Sequence, residues 1–426
     1  TIEELYSVYL QSNKVNTDTR SITKGDLFFA LKGGNFNGNL FAEEAIKNGA
    51  LAAVVDEKEF ENTEKGIFYF ENVLNTLQNL ARHHRQQLTI PVIGLTGSNG
   101  KTTSKELIAA VLKEKFRVLY TQGNLNNHIG VPLTILSIKP EHEIAIIEMG
   151  ANHQKEIELL AGICQPTIGY ITNFGKAHLE GFGGVEGVIK GKSELYTYLR
   201  EFHRTALVNT DDLKQTELTY DIEKITFGSQ GTFSFSLLEN SNHRVSIAYK
   251  EVIINSQLTG NYNFANICAA ASLGFKFGLS IEQIKHGIEN YIPQNQRSQI
   301  VEKNGIILVL DTYNANPSSM EVSLRNFSSF EGSKTIIIGD MFELGNESAS
   351  EHQKIADLAQ SLPFDSVFLL GENFFTVKTP DSSSVQKFHS TQEMKEYLKT
   401  HALTTKNILL KGSRGMALEK LIDSLV

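Results

Sequence analysis

The pattern of apolar and polar positions divides the chain into three stretches. From residue 1 to about 88, short apolar runs at 27–31 and 52–55 alternate with Gly- and Asn-rich turns, and helical spacing covers 41–47. This predicts a small α/β unit, closed by a polar helix over 76–87. The second stretch opens with an apolar strand at 91–95, a glycine-rich loop, and a helix through Leu107, Val111 and Leu112. Runs at 144–147, 168–171 and 206–208 are apolar on both faces, which predicts buried parallel strands rather than half-exposed antiparallel ones. Over 232–258 short alternating segments surround Glu239-Asn240-Ser241-Asn242, the sign of a small antiparallel insert. Helical patterns follow at 264–277 and 281–291.

A polar stretch at 293–298 predicts a hinge. Beyond it, strands at 306–310, 335–338, 367–370 and 408–410 alternate with helices at 318–327, 351–361 and 392–401, and a last helix runs to Val426. Such alternation predicts a second, smaller doubly wound sheet of Rossmann-like type. The expected fold class is therefore α/β with three domains. Residues 1–88 form a small α/β domain, 89–296 a central P-loop-type, mostly parallel sheet with the antiparallel insert, and 297–426 the Rossmann-like domain. There is no internal repeat and no low-complexity tract.

Composition narrows the class. The 426 residues are 41% hydrophobic and 21% charged, a folded globular profile. A formal charge of −8 without a long basic run argues against nucleic acid as a partner. The two cysteines, Cys164 and Cys268, sit in apolar stretches, which favours a reducing cytoplasm over a disulfide framework. No apolar run approaches the roughly 18 residues of a membrane span, and Thr1-Ile2-Glu3-Glu4 does not read as a signal peptide.

The sharpest chemical signal is Gly97-Ser98-Asn99-Gly100-Lys101-Thr102-Thr103 between a predicted strand and a predicted helix. In that context small residues let backbone N–H groups converge on phosphate oxygens, and the helix N-terminus adds positive potential. Lys101 is placed to bridge the β- and γ-phosphates of ATP, and the Thr102 hydroxyl to sit on Mg²⁺. One departure from the usual loop is Leu95, where a glycine is common. Glu148 follows the run at 144–147, so its carboxylate is expected at the same sheet edge as a hard oxygen ligand, or else as a surface loop cap. On spacing alone, His178 reads as an ordinary polar histidine and Lys192 as a solvated helix lysine.

Together these segments resemble the Mur ligase family of peptidoglycan-building enzymes over essentially the whole chain. The resemblance rests on Thr96 to Thr103, Asn124-Leu125-Asn126-Asn127-His128-Ile129-Gly130, Glu148-Met149-Gly150-Ala151 and Ala177-His178-Leu179-Glu180-Gly181. It continues in Gly260-Asn261-Tyr262-Asn263-Phe264-Ala265-Asn266, Asp311-Thr312-Tyr313-Asn314-Ala315-Asn316-Pro317, Gly339-Asp340-Met341-Phe342-Glu343-Leu344-Gly345 and Lys411-Gly412-Ser413-Arg414-Gly415. The Asn-Leu-Asn-Asn, Gly-Asp-Met and Lys-Gly-Ser-Arg segments are similar to the branch that joins D-Ala-D-Ala to a UDP-N-acetylmuramoyl-tripeptide.

The resemblance implies an ATP-dependent, ADP-forming ligase passing through an acyl phosphate. It implies that Thr102, Glu148 and His178 serve two Mg²⁺ ions and that Lys192 is carbamylated, which turns a repelling cation into an oxygen donor. Asn127 joins Lys101, Glu148, His178 and Lys192 as a catalytic candidate. Asn263, Asn266, Arg297, Asp311 and Tyr313 are implied around the nucleotide. Thr19, Arg20, Asn35, Asn126, Asn316, Ser413 and Arg414 are implied for the substrates, with an exposed ion pair as the plain alternative for Arg20. A cytoplasmic monomer is expected. Tyr262, Gln296 and Asn37-Gly38-Asn39 depart from residues common in the family. Rival readings are another ligase of the superfamily (one adding the third stem residue, or folylpolyglutamate synthase) and a P-loop regulatory ATPase. The third stem residue itself, lysine or diaminopimelate, is left open.

Overall fold

The structure, a computed structural model, describes residues 1–239, 243–294 and 296–426. Asn240, Ser241 and Asn242 of the expected turn, and Asn295 of the expected hinge, lie outside the described residues.

The apolar runs become strands of three largely parallel sheets. The first has four strands in the order Val15–Asn16, Leu27–Phe29, Ala52–Val55, Ile67–Tyr69, all parallel. Helix Val73–Gln87 comes next, three residues longer at its start than the polar pattern indicates, because the Asn72 side chain caps it by accepting from the Asn75 N–H.

The central sheet has six parallel strands ordered Lys224–Phe227, Thr205–Asn209, Ile168–Ile171, Val92–Thr96, Ile144–Glu148, Val118–Tyr120. Alternate residues feed two cores. Ile93, Leu95, Ile144 and Ile146 pack on one face with helices Lys101–Leu112 and Asn263–Lys276, and Val92, Ala145 and Ile147 pack on the other with helix Glu156–Cys164. Both faces are covered, which is why these runs carry no polar alternation. The insert is a three-stranded antiparallel sheet, Ser236–Leu238, Arg244–Tyr249 and Val252–Thr259.

The last sheet also has six strands, so it is not smaller than the central one. Its order is Gln299–Lys303, Ile306–Asp311, Asn407–Lys411, Lys334–Gly339, Ser366–Leu370, Val385–Phe388, with only Gln299–Lys303 antiparallel. The single final helix expected from the pattern is instead broken. Short 3-10 turns at Arg414–Met416 and Leu418–Leu421 precede Ile422–Leu425, with Ala417 in left-handed backbone between them. Leu418, Leu421 and Leu425 are still buried against the sheet, so the apolar spacing was real but the helix was not continuous.

Candidate active site

The phosphate loop lies at the C-terminal end of Val92–Thr96, with strands on both sides. Gly97 has φ 146° and Gly100 φ 80°, and a Cβ on Gly97 would fall on the Thr172 hydroxyl. Polar residues from the next strand-end hold the loop open. Asn173 Oδ1 accepts from the Asn99 N–H at 3.0 Å, its Nδ2 donates to the Asn99 carbonyl at 2.9 Å, and Ser98 Oγ donates to the Gly175 carbonyl at 2.7 Å. Lys101 folds back over the loop, donating to the Gly97 carbonyl at 2.7 Å. Burial lowers its pKa and the nearby Arg297 adds to that, while Glu148 opposes it.

Glu148 is the last residue of its own strand and is buried, not a surface loop cap. Its carboxylate accepts from Thr102 Oγ1 at 3.0 and 3.2 Å and from Asn126 Nδ2 at 3.3 Å, while Thr121 Oγ1 accepts from its backbone N–H. Asn127 lines the same cavity, but its side chain caps the adjoining turn, accepting from the N–H groups of Ile129 and Gly130. Lys192 is fully buried, not solvated. Its Nζ lies 3.5 Å from the Ala151 carbonyl and 5.2 Å from the centre of the Phe182 ring. Burial drives its pKa well below the ordinary lysine value, and the charge on Lys101 adds to the effect. His178 Nδ1 is paired with Glu343 of the last domain, whose carboxyl is held below its ordinary range by that bond.

The last domain closes the cavity. Asn316 Nδ2 donates to Asn99 Oδ1 at 2.6 Å, Ser318 Oγ accepts from the Lys176 N–H at 2.7 Å, and Lys176 Nζ pairs with Glu351 at 2.9 Å. Arg297 stacks on Tyr313, its Cζ 3.6 Å from the ring centre, with the Arg414 guanidinium 5.2 Å from the same ring. Asp311 pairs with buried Lys411 at 2.6 Å across adjacent strands. Asn266 links the loop helix to Asn263: Ser104 Oγ donates to Asn266 Oδ1, and Asn266 Nδ2 donates to Asn263 Oδ1.

One cavity of about 660 Å³ thus gathers Lys101, Thr102, Glu148, Asn126, Asn127 and His178 with Asn263, Asn266, Arg297, Asp311, Tyr313 and Asn316. Lys192, Ser413 and Arg414 stand outside its wall, as do Thr19, Arg20 and Asn35 on the first domain. Ser413 Oγ accepts from the Phe342 N–H. Arg20 forms an exposed, bidentate pair with Asp18, the plain alternative. Sequence reasoning missed Lys105, Asn173, Glu343 and Lys411. The last two stand in family-like segments without a role of their own, and the other two carry no distinguishing spacing.

A P-loop cavity shut between two doubly wound domains, in a chain that opens with a third α/β domain, defines a class of nucleotide-dependent enzyme. The chain belongs to the Mur ligase family: its family model matches at 12–91 (Mur ligase family, catalytic domain), 95–274 (Mur ligase middle domain) and 296–414 (Mur ligase, glutamate ligase domain). Within it the chain is 32% identical to the UDP-N-acetylmuramoyl-tripeptide–D-alanyl-D-alanine ligase of Bacillus subtilis, over 97% of this chain and 93% of that one. Against the ligase of the same name from Escherichia coli it is 33% identical over 99% and 95% of the two chains. The crystal structure of MurF from Acinetobacter baumannii superposes with a TM-score of 0.88 at 30% identity, covering 100% of this chain and 98% of that one. The MurF ligase of Thermotoga maritima in complex with ADP gives 0.85 at 27%, covering 98% and 97%.

Proposed function

We propose that this chain is an ATP-dependent, ADP-forming ligase that joins D-alanyl-D-alanine to UDP-N-acetylmuramoyl-tripeptide in peptidoglycan precursor synthesis. The observation that carries the reading is the single cavity in which the phosphate loop of the middle domain faces Arg297 and Asp311 of the last one. The division at 1–88, 89–296 and 297–426 assigns the tripeptide's UDP to the first domain, through Thr19, Arg20 and Asn35, and D-Ala-D-Ala to the last, near Asn316, Ser413 and Arg414.

In this reading the tripeptide's terminal carboxylate attacks the γ-phosphorus, the bond to ADP breaks, and an acyl phosphate results. The amine of D-Ala-D-Ala then attacks the acyl carbon, losing a proton as phosphate leaves. Lys101 would offset charge between the phosphates, and closure through Lys176, Asn316 and Glu351 would keep water from the acyl phosphate. The hard oxygens of Thr102 and Glu148, 3.0 Å apart on the cavity wall, fit Mg²⁺. Bound there, Mg²⁺ would neutralise phosphate charge. A second ion would draw on His178 and on an oxygen from a carbamate of Lys192, a modification that needs the neutral amine its burial favours. A monomer acting in the cytoplasm completes the proposal. The test is ADP release against a panel of UDP-muramoyl peptides with and without D-Ala-D-Ala. Release that ignores the dipeptide would favour a regulatory ATPase instead.

A further inference from the structure

Helix Lys101–Leu112 turns two of its lysines to different tasks. Lys101 reaches over the phosphate loop, whereas Lys105, one turn on, points behind it. Thr102 and Lys105 are three residues apart and share the helix face toward Glu148. Lys105 is 0% exposed and Glu148 1% exposed. The Lys105 ammonium makes no hydrogen bond among the described residues; it lies 3.6 Å from Glu148 Oε2 and 3.4 Å from Glu106 Oε1, with the Tyr120 ring 5.9 Å away. Glu148 lines the cavity and Lys105 does not. A fully buried ammonium with so little hydrogen bonding is tolerated only beside an opposing charge, and for packing alone an apolar side chain would serve as well.

We infer that Lys105 is a positioning residue for the cation site, holding the Glu148 carboxylate against Thr102 and offsetting its charge so that a divalent ion enters only together with the nucleotide's phosphates. The inference rests on the reading of Glu148 as the Mg²⁺ carboxylate. Without nucleotide, Glu148 shares its charge with a neighbouring ammonium and offers little net attraction, since Glu106, the other carboxylate beside Lys105, is 28% exposed and screened by solvent; the ammonium also repels an arriving dication. The triphosphate supplies the missing charge, so metal and nucleotide bind as a unit. That arrangement keeps the loop free of a metal that would have to be displaced before ATP could enter.

The test is Mn²⁺ binding to the nucleotide-free protein, read by electron paramagnetic resonance. Lys105→Met should bind Mn²⁺ at least about tenfold more tightly than the parent, because a repelling charge has gone. Lys105→Arg, which keeps the charge, should stay near the parent. A merely structural role predicts weaker or unchanged binding in Lys105→Met, and either result overturns the inference. If Lys105→Met does not fold, Lys105→Gln, which removes the charge but keeps a polar head, takes its place and should show the same tightening. Weaker or unchanged Mn²⁺ binding in Lys105→Gln overturns the inference. Glu148→Gln alone checks the underlying reading: Mn²⁺ binding in the presence of ATP should weaken. If it does not, the metal assignment falls, and the inference with it, whatever Lys105→Met shows.

Discussion

Lys101 and Lys192 are both buried lysines whose pKa values are lowered, yet their neighbours assign them different work. Lys101 lies in the cavity wall, and under the proposed function its charge meets the phosphates of ATP, so Lys101→Ala should cost at least about a hundredfold in turnover with the melting temperature little changed. Lys192 stands behind that wall beside Ala151 and Phe182. Lys192→Ala should nearly abolish turnover, with partial rescue by a small added carboxylate, while Lys190→Ala, on the exposed side of the same helix, should do little. Steady-state kinetics with and without acetate separates these outcomes. The cysteines give a pH prediction. Burial pushes the Cys164 thiol up to about 12 and raises Cys268 well above the ordinary thiol value. A folded pKa above the unfolded value of about 8.5 means the neutral thiols favour the fold fully below that pH, and the benefit is lost as pH rises toward 12. Ellman's reagent at pH 8 should therefore find no reactive thiol in the native protein and two after unfolding.

At the scale of elements, what could be read in advance depended on whether a signal was local. Val92–Thr96, the loop and helix Lys101–Leu112 were legible because an apolar run, a glycine loop and Gly-Lys-Thr occupy consecutive positions. The short edge strands Val118–Tyr120, Val385–Phe388 and Gln299–Lys303 were not, since so few half-buried residues carry too little periodicity. Helix Ile2–Gln11 was equally hard to see, because only Leu5 and Tyr9 are buried along it. The site divides the same way. Glu148 could be picked out from its place after an apolar run, whereas His178 and Lys192 needed the family resemblance to rise above ordinary side chains, and Lys105 could not be singled out at all, because its interest lies in a partner on a strand distant in sequence. Capping is the element-scale test: Asn72→Ala removes the acceptor for the Asn75 N–H and should cost about 1 kcal/mol in urea unfolding.

For the whole molecule, the last domain is docked on the middle one through pairs that include a partly buried charge. Lys176 meets Glu351, whose side chain is only 7% exposed. Reversing one partner, Glu351→Lys, should open the arrangement, giving a larger radius of gyration by small-angle scattering and a several-fold higher KM for ATP. The double reversal Lys176→Glu/Glu351→Lys should bring both values back toward the parent. Saturating ATP and UDP-peptide should in turn give the compact scattering profile, and a parent protein indifferent to ligands would argue that the domains do not move.

The pairing of Asp311 with Lys411 has a consequence for the birth of the protein. The phosphate loop and its helix leave the ribosome early, and the middle domain's own sheet is complete before any residue of the last domain has been made. Asp311 emerges much later, and its buried partner Lys411 later still, on the strand that completes the centre of the last sheet. A nascent chain could thus cradle a nucleotide through Lys101 well before it could close over one. A chain halted before Lys411 would hold the phosphate loop without the central strand of the domain that covers it.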